Sequence, residues 1–207
     1  MPRFLLLILV ASTTWGAELQ ADAAVDLRVF LSRNWDLLIH NRARVQAAES
    51  HWYDVSVIPI LRYKARPNLQ LYGGAFLTRY DFPAAGWRTV YRPVVGVEPS
   101  LRCGRVTLAS RTGYERFLVT RGTDFNRYRE RIRVSGSGPW APYASVEAFF
   151  TSHGWATTRY GAGLHHDIDK HCGIEFFYWY EAREFAGAGT RHMLSTTLYF
   201  NLRTPDK

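Results

Sequence analysis

Residues 125–134 read FNRYRERIRV, with arginine at every second position: Arg127, Arg129, Arg131 and Arg133. Tyr128, Glu130, Ile132 and Val134 fall between them. A helix would scatter these charges around its circumference, whereas a strand sends successive side chains to opposite faces. The stretch therefore reads as a strand with a column of four guanidinium groups on one face. What that face meets decides the fold.

The same period of two runs through the chain from about Trp35 to Leu202. Val55, Val57 and Leu61 alternate with Asp54, Ser56 and Arg62; Val95 and Val97 with Gly96 and Glu98; Phe176, Tyr178 and Tyr180 with Glu175, Phe177 and Glu181. Helical spacing is almost absent, which predicts consecutive half-polar antiparallel strands. Tight joins are expected at Lys64–Asn68, Cys103–Gly104, Ser137–Trp140 and Ile168–His171. Longer loops are expected at Asp81–Trp87, Thr120–Asp124, Ser152–Trp155 and Phe185–Arg191. Short turns at one end and longer loops at the other are the layout of an outer-membrane barrel.

The 207 residues suffice for one domain, and 47% hydrophobic with 21% charged residues describes an ordered chain. Phe4–Val10 is an apolar run behind Arg3, followed by small residues, the anatomy of a secretory signal peptide over residues 1–17. Cleavage after Gly16 or Ala17 is expected. Removing residues 1–16 takes away Arg3 alone among the charges and leaves a net charge of +7. Residues 18–34 receive no firm assignment, although DLRVFLSR at 26–33 has the make-up of a further strand. Beyond the signal no apolar stretch approaches the ~18 residues of a helical span.

Alternation alone does not say which face is wet. A soluble lipocalin-like barrel hides its apolar residues inside, and a membrane barrel inverts this. Inversion is favoured by strands of about 10–12 residues, close to the ~9–11 that cross a bilayer at a tilt. Aromatics near strand ends also favour it: Trp35, Trp52, Tyr53, Tyr80, Trp87, Tyr91, Tyr128, Trp140, Trp155 and Tyr160 read as interfacial girdles. The expected fold is an all-β, antiparallel up-and-down transmembrane β-barrel over residues 35–207. Ten strands are expected, with twelve as the alternative, since bacterial single-chain barrels have even counts.

In such a barrel the arginine column points into a narrow lumen and meets carboxylates from other strands. The expected lumenal network is Arg42, Arg44, Arg62, Arg92, Glu98, Arg111, Glu115, Arg127, Arg129, Arg131, Arg133, Glu147, Arg159, Glu175 and Glu181. Guanidinium–carboxylate pairs can be bidentate, so they fill a small barrel with polar groups. Glu130 shares parity with Ile132 and Val134 and should lie near the headgroups.

The order of features from about Val94 onward resembles the family called domain of unknown function 2490, predicted bacterial outer-membrane barrels. SLRCGRVTLASRTGYERF ends a strand pair, FNRYRERIRV follows, and PYASVEAFF carries an inward Glu. TTRYGAGLHHDIDKHCGIEFFYWYE then forms a hairpin and STTLYFNL closes the chain, while WYDVSVIPILRYK fits more loosely. The resemblance implies fold and location, not an activity. Outer-membrane barrels usually finish on an aromatic residue; here Phe200 is followed by NLRTPDK.

Three other clusters carry side chains capable of chemistry. His165, His166, Asp167, Asp169 and His171 are dense in ligand types, but neighbours on a strand face opposite ways, so a polar hairpin end is the reading and no metal or cofactor is expected. Ser195 with His153 and His192 could serve a lipid-hydrolysing barrel, yet no nucleophile-elbow context marks any serine. Cys103 and Cys172 should lie ~15–20 Å apart around the rim, from strand spacing, too far to bridge. Arginines alternating along strands and paired with carboxylates do not suit nucleic acid.

Export then places the chain in the outer membrane of a Gram-negative bacterium, as a structural barrel or narrow conduit without catalysis. A lipid-modifying barrel and a soluble periplasmic barrel holding an apolar ligand are the alternatives. Expected partners are outer-membrane lipid, lipopolysaccharide phosphates near Arg79, Arg88 and Arg121, and the barrel-assembly machinery.

Overall fold

Period-two alternation gives every strand one polar and one apolar face, and such strands pair side by side until the last meets the first. The computed structural model describes residues 17–46, 51–82, 86–120, 122–152, 154–183 and 189–203. The signal-peptide expectation for residues 1–16, and the residues Arg121 and His153, lie outside the described residues. The strands are β1 (Ala17–Phe30), β2 (Trp35–Gln46), β3 (His51–Arg66), β4 (Leu69–Phe82), β5 (Gly86–Cys103) and β6 (Val106–Val119). They continue as β7 (Phe125–Ser135), β8 (Trp140–Thr151), β9 (Gly154–Asp167), β10 (Cys172–Arg183) and β11 (Thr190–Arg203). Each pairs with its sequence neighbours, and β1 closes the barrel against β11.

The strand count among the described residues corrects the sequence expectation: eleven, neither ten nor twelve. The additional strand is β1, AELQADAAVDLRVF, whose second half overlaps the DLRVFLSR stretch that has the make-up of a further strand. In a meander each strand reverses the one before, so an odd total leaves the first and last pointing the same way. Accordingly β1 and β11 pair in parallel, from Ala17 beside Thr190 to Val29 beside Arg203. The barrel is thus antiparallel at every seam except this one.

The loop-length contrast is weaker than expected, because the strands run on into the segments read as loops. One rim, here the turn rim, carries connections at 31–34, 67–68, 104–105, 136–139 and 168–171. The opposite, loop rim carries 47–50, 83–85, 120–124, 152–153 and 184–189. Ser152–Trp155, read as a longer loop, leaves only residues 152 and 153 outside strands. At the turn rim Gly104 (φ 59) allows β5 to reverse into β6 within two residues.

The apolar faces point out. Val95 is 58% exposed, Ile132 47% and Phe176 45%, on β5, β7 and β10. Trp35 and Trp140 stand exposed near the turn rim, and Trp87 and Trp155 near the loop rim. No helix among the described residues is long and apolar enough to cross a membrane. Two expected girdle residues turn the other way: Tyr53 and Tyr80 line the interior. Tyr53 is displaced by a register shift of β3 at Arg44/Val45, and its hydroxyl donates to Gln20 Oε1.

Inward aromatics lie across glycines on neighbouring strands. Tyr72 of β4 covers Gly96 and Gly113, and its hydroxyl donates to the Thr112 carbonyl at 3.3 Å. A Cβ at Gly113 would stand 2.5 Å from that hydroxyl oxygen. With Ile58, Ile60, Phe76 and Val94, Tyr72 makes an apolar inner wall over β3, β4 and β5.

Glu130 corrects another expectation. Its register is the expected one, opposite Thr112 and Ala148, but it sits midway along β7, far from either rim. Outward-facing Ser110 and Thr112 of β6 donate their hydroxyls to its two carboxylate oxygens.

Candidate lumenal site: a belt of arginine and carboxylate

The lumen is built by strands that take turns supplying charge. Among β6, β8 and β10, each contributes one deeply buried glutamate: Glu115, Glu147 and Glu181. The strands between them contribute arginine. Arg127 Nε donates to Glu115 Oε2 at 2.8 Å. Arg129 bridges, giving Nη1 to Glu115 at 3.1 Å and Nε to Glu147 at 2.9 Å. Arg159 Nε donates to Glu181 at 2.5 Å, with its Nη1 3.7 Å from Glu147. Across the seam, Arg183 and Arg191 both reach Glu18 of β1, at 3.0 and 3.1 Å.

The belt continues on the far side of β1. Arg44 Nε donates to Asp22 at 3.0 Å, and Arg42 Nη2 donates to Asp54 at 2.8 Å. Charge sign therefore alternates from strand to strand: acid on β1, base on β2, acid on β3, base on β5 (Arg92), acid on β6, and so on to base on β11. Strict alternation cannot close on an odd number of positions. The exception falls at β4, whose Thr78 hydroxyl joins the belt only through Ser56, at 2.9 Å.

Aromatic rings interleave with the same arginines. Arg92 lies over Phe76 (3.6 Å) and Phe117 (4.9 Å), Arg127 over Phe117 (4.8 Å) and Phe149 (4.4 Å). Arg159 lies over Phe149 (4.4 Å) and Trp179 (3.9 Å). Arg127 and Arg159 are thus held edge-on by carboxylate and face-on by rings, a combination lysine could not satisfy.

Toward the turn rim the lumen is less balanced. Glu98 accepts from Arg111 Nε and lies 3.7 Å from Arg131 Nη2; Asp36 accepts from Arg28 at 3.0 Å and also from Arg62. Arg133 stretches across the lumen to Glu175 at 3.4 Å and covers the Tyr143 ring at 3.6 Å. His40 Nδ1 pairs with Asp26.

A cavity of about 920 Å³ runs along this interior, from Glu18, Asp81 and Arg183 near the loop rim to Arg62, Arg133 and Tyr199 near the turn rim. Arginines dominate its lining. Asp54 and Glu115 are completely buried against the wall, and the longer guanidinium side chains project past them toward the axis. Twelve arginines line the cavity against five carboxylates, so its lining is cationic.

Of the fifteen residues expected from the sequence, the ten arginines, Glu175 and Glu181 line the cavity, whereas Glu98, Glu115 and Glu147 stand outside its lining as ion-pair partners of those arginines. Residues that reasoning missed are Glu18, Asp22, Asp26, Arg28, Asp36, Asp54, Arg183 and Arg191. The signal for β1 was present: even positions hold Glu18, Gln20, Asp22, Asp26 and Arg28, and odd positions Leu19, Ala21, Ala23, Val25 and Leu27.

The other clusters stay apart. His165 faces inward to Tyr199 (2.7 Å) and Asp167 (2.9 Å), while His166 faces outward, stacked on Trp140. No group of three or more metal-ligating side chains occurs among the described residues. Ser195, beside Phe177 and Asp22 in register, and His192, bonded to the outward Tyr178, sit on opposite faces of β11. Cys103 and Cys172 are free, five strands apart on β5 and β10. Arg79 lies over Trp87 at 5.5 Å on the outer face, and Arg88 faces inward beside Tyr80.

Fold and site together define a closed β-barrel with its apolar faces outward and a guanidinium-lined interior. Its fold is similar to the NanC porin structure, at 12% identity and a TM-score of 0.51, over 78% of this chain and 85% of that one. OmpT of Vibrio cholerae is also similar, at 10% identity and a TM-score of 0.42, over 72% of this chain and 54% of that one. None of the curated proteins compared with the chain is a match. The profile of the family described as "Protein of unknown function (DUF2490)" matches residues 23–192, and the chain belongs to that family.

Proposed function

We propose that this protein is an exported outer-membrane barrel of a Gram-negative bacterium and a narrow conduit for small anionic solutes. The observation that carries the reading is the radial order of charge: Asp54 and Glu115 fully buried at the wall, guanidinium groups in front of them along the cavity. An anion on the axis meets Arg127, Arg129 and Arg159 before it feels the acids behind, so field focusing in a narrow, low-dielectric tube favours it. The outward apolar band supports insertion in lipid, with the tryptophans at both rims in the headgroup region. A soluble barrel would need those faces reversed. Outer-membrane lipid and lipopolysaccharide are then the surroundings of the wall, and the barrel-assembly machinery its route there.

Planar-bilayer recording of the purified barrel under a salt gradient tests this. Small, steady currents with a reversal potential on the chloride side are expected. Cation selectivity, or a bilayer that stays silent with correctly folded protein, would overturn the conduit. Recovery as a soluble protein whose gel mobility ignores heating would end the membrane reading altogether.

A further inference from the structure

Arg111 of β6 and Arg131 of β7 are direct cross-strand partners on the lumenal side. Like charges set face to face in a sheet repel unless something neutralises both. Glu98 does this for one: it accepts from Arg111 Nε, whereas Arg131 Nη2 remains 3.7 Å away, beyond hydrogen-bond reach. Asp36 is also shared, by Arg28 and Arg62, which both donate to it. Four guanidinium groups therefore share Glu98 and Asp36, because Glu147, opposite Arg131 on β8, is already taken by Arg129, which donates to it at 2.9 Å, and by Arg159 at 3.7 Å. The shortfall shows in the hydrogen bonding, since the buried Nε atoms of Arg28 and Arg131 have no partner among the described residues. Buried guanidinium donors left without an acceptor are costly, so such a cluster favours an added acceptor.

Three of the four, Arg62, Arg111 and Arg131, line the cavity; Arg28 stands behind and occupies part of Asp36. Tyr72 lies across Gly96 and Gly113, with Arg111 5.4 Å from its ring centre.

We propose that Arg62, Arg111 and Arg131 form a binding site for a compact, doubly charged oxyanion of the phosphate or phosphate-monoester kind in the turn-rim half of the lumen. The two uncompensated charges set the valence. Guanidinium forks set the chemistry, since their paired N–H groups match the oxygens of a tetrahedral anion. Because Arg111 and Arg131 are nearest neighbours across two strands, they address one centre rather than two distant carboxylates. The site rests on the reading that solutes reach the lumen, and it gives that conduit a preferred cargo.

Isothermal titration of the folded barrel with inorganic phosphate, and separately with succinate and chloride, tests the site. Saturable phosphate binding is expected, tighter than either competitor. Arg131→Gln and Arg111→Gln should each weaken it by about tenfold or more, the worth of a charge-assisted hydrogen bond. Glu98→Gln should tighten it, because both arginines are released; a gain cannot be mistaken for misfolding. Arg79→Gln, on the outer wall, should leave it unchanged. Absence of saturable phosphate binding, equal affinity for succinate, an Arg131→Gln barrel that binds as well as the parent, or weaker binding by folded Glu98→Gln would each overturn the site. A barrel that passes chloride without binding phosphate loses the site and keeps the conduit. One that binds phosphate but passes no current keeps the site and loses the conduit.

Discussion

Arg127 donates its Nε to Glu115 from the adjacent strand at 2.8 Å, and Glu115 has no solvent-exposed surface. Arg129 and, at 3.9 Å, Arg92 complete its surroundings. Removing one partner of a buried ion pair strands the others, which costs about 3–5 kcal/mol. Glu115→Ala should therefore lower stability by that order in denaturant titrations of the lipid-folded barrel. In bilayers the same variant should shift the reversal potential further toward chloride. Replacing Arg127 and Glu115 together by apolar residues should recover only part of that loss, because Arg92 and Arg129 still lose their carboxylate.

Tyr72 and Gly113 form a lock whose fit can be measured. A Cβ at Gly113 meets the Tyr72 hydroxyl oxygen at 2.5 Å, with the Arg129 Cγ at 3.3 Å. Gly113→Ala should destabilise by about 1–3 kcal/mol, the usual cost of overpacking. Tyr72→Phe removes the clashing atom, so the double variant should recover part of the loss. A double-mutant cycle showing simple additivity would mean that the ring does not press on that glycine.

Glu130 is the one carboxylate described on the middle of the outer wall, held by Ser110 and Thr112. Charge on a lipid face is destabilising in a depth-dependent way, less for acids than for bases. Glu130→Leu should raise stability in lipid by on the order of 1 kcal/mol. A loss of stability would mean that the two hydroxyl bonds outweigh desolvation.

Cys103 is exposed at the turn rim. With that rim toward the periplasm, a membrane-impermeant maleimide should label it only after the outer membrane is permeabilised. Labelling in intact cells would reverse the orientation. Non-reducing gels should show no internal cross-link with Cys172.

Asp169 caps the turn between β9 and β10, accepting from the main-chain N–H groups of His171 (2.6 Å) and Cys172 (2.8 Å). Those bonds, His171 first, hold its carboxyl below the usual aspartate range. A depressed folded-state value stabilises the turn above the unfolded pKa and loses that support as pH falls through the folded one. Exchange protection of the two amides should fade on acidification, and Asp169→Ala should abolish the pH dependence.

Arg127, Arg129, Arg131 and Arg133 were legible because strand parity is rigid: once one points inward, all four do. Their glutamate partners followed from the same parity. Strand ends were less legible, since Ser152 and Trp155 look like loop residues whereas a two-residue reversal suffices there. Tyr53 escaped because a register shift is invisible to periodicity. Strand β1 was obscured by its four alanines, which blur the contrast between the two faces of an otherwise regular alternation. Glu130 was assigned to the right face but the wrong depth; parity fixes direction, and only packing fixes height.

The parallel seam between β1 and β11 has a topographical consequence. Ala17 lies beside Thr190 at one rim, and Arg203 beside Val29 at the other. An epitope grafted just ahead of Ala17 and another just behind Arg203 would surface on opposite sides of the bilayer. In any even-stranded meander, antibodies would find both on the same side.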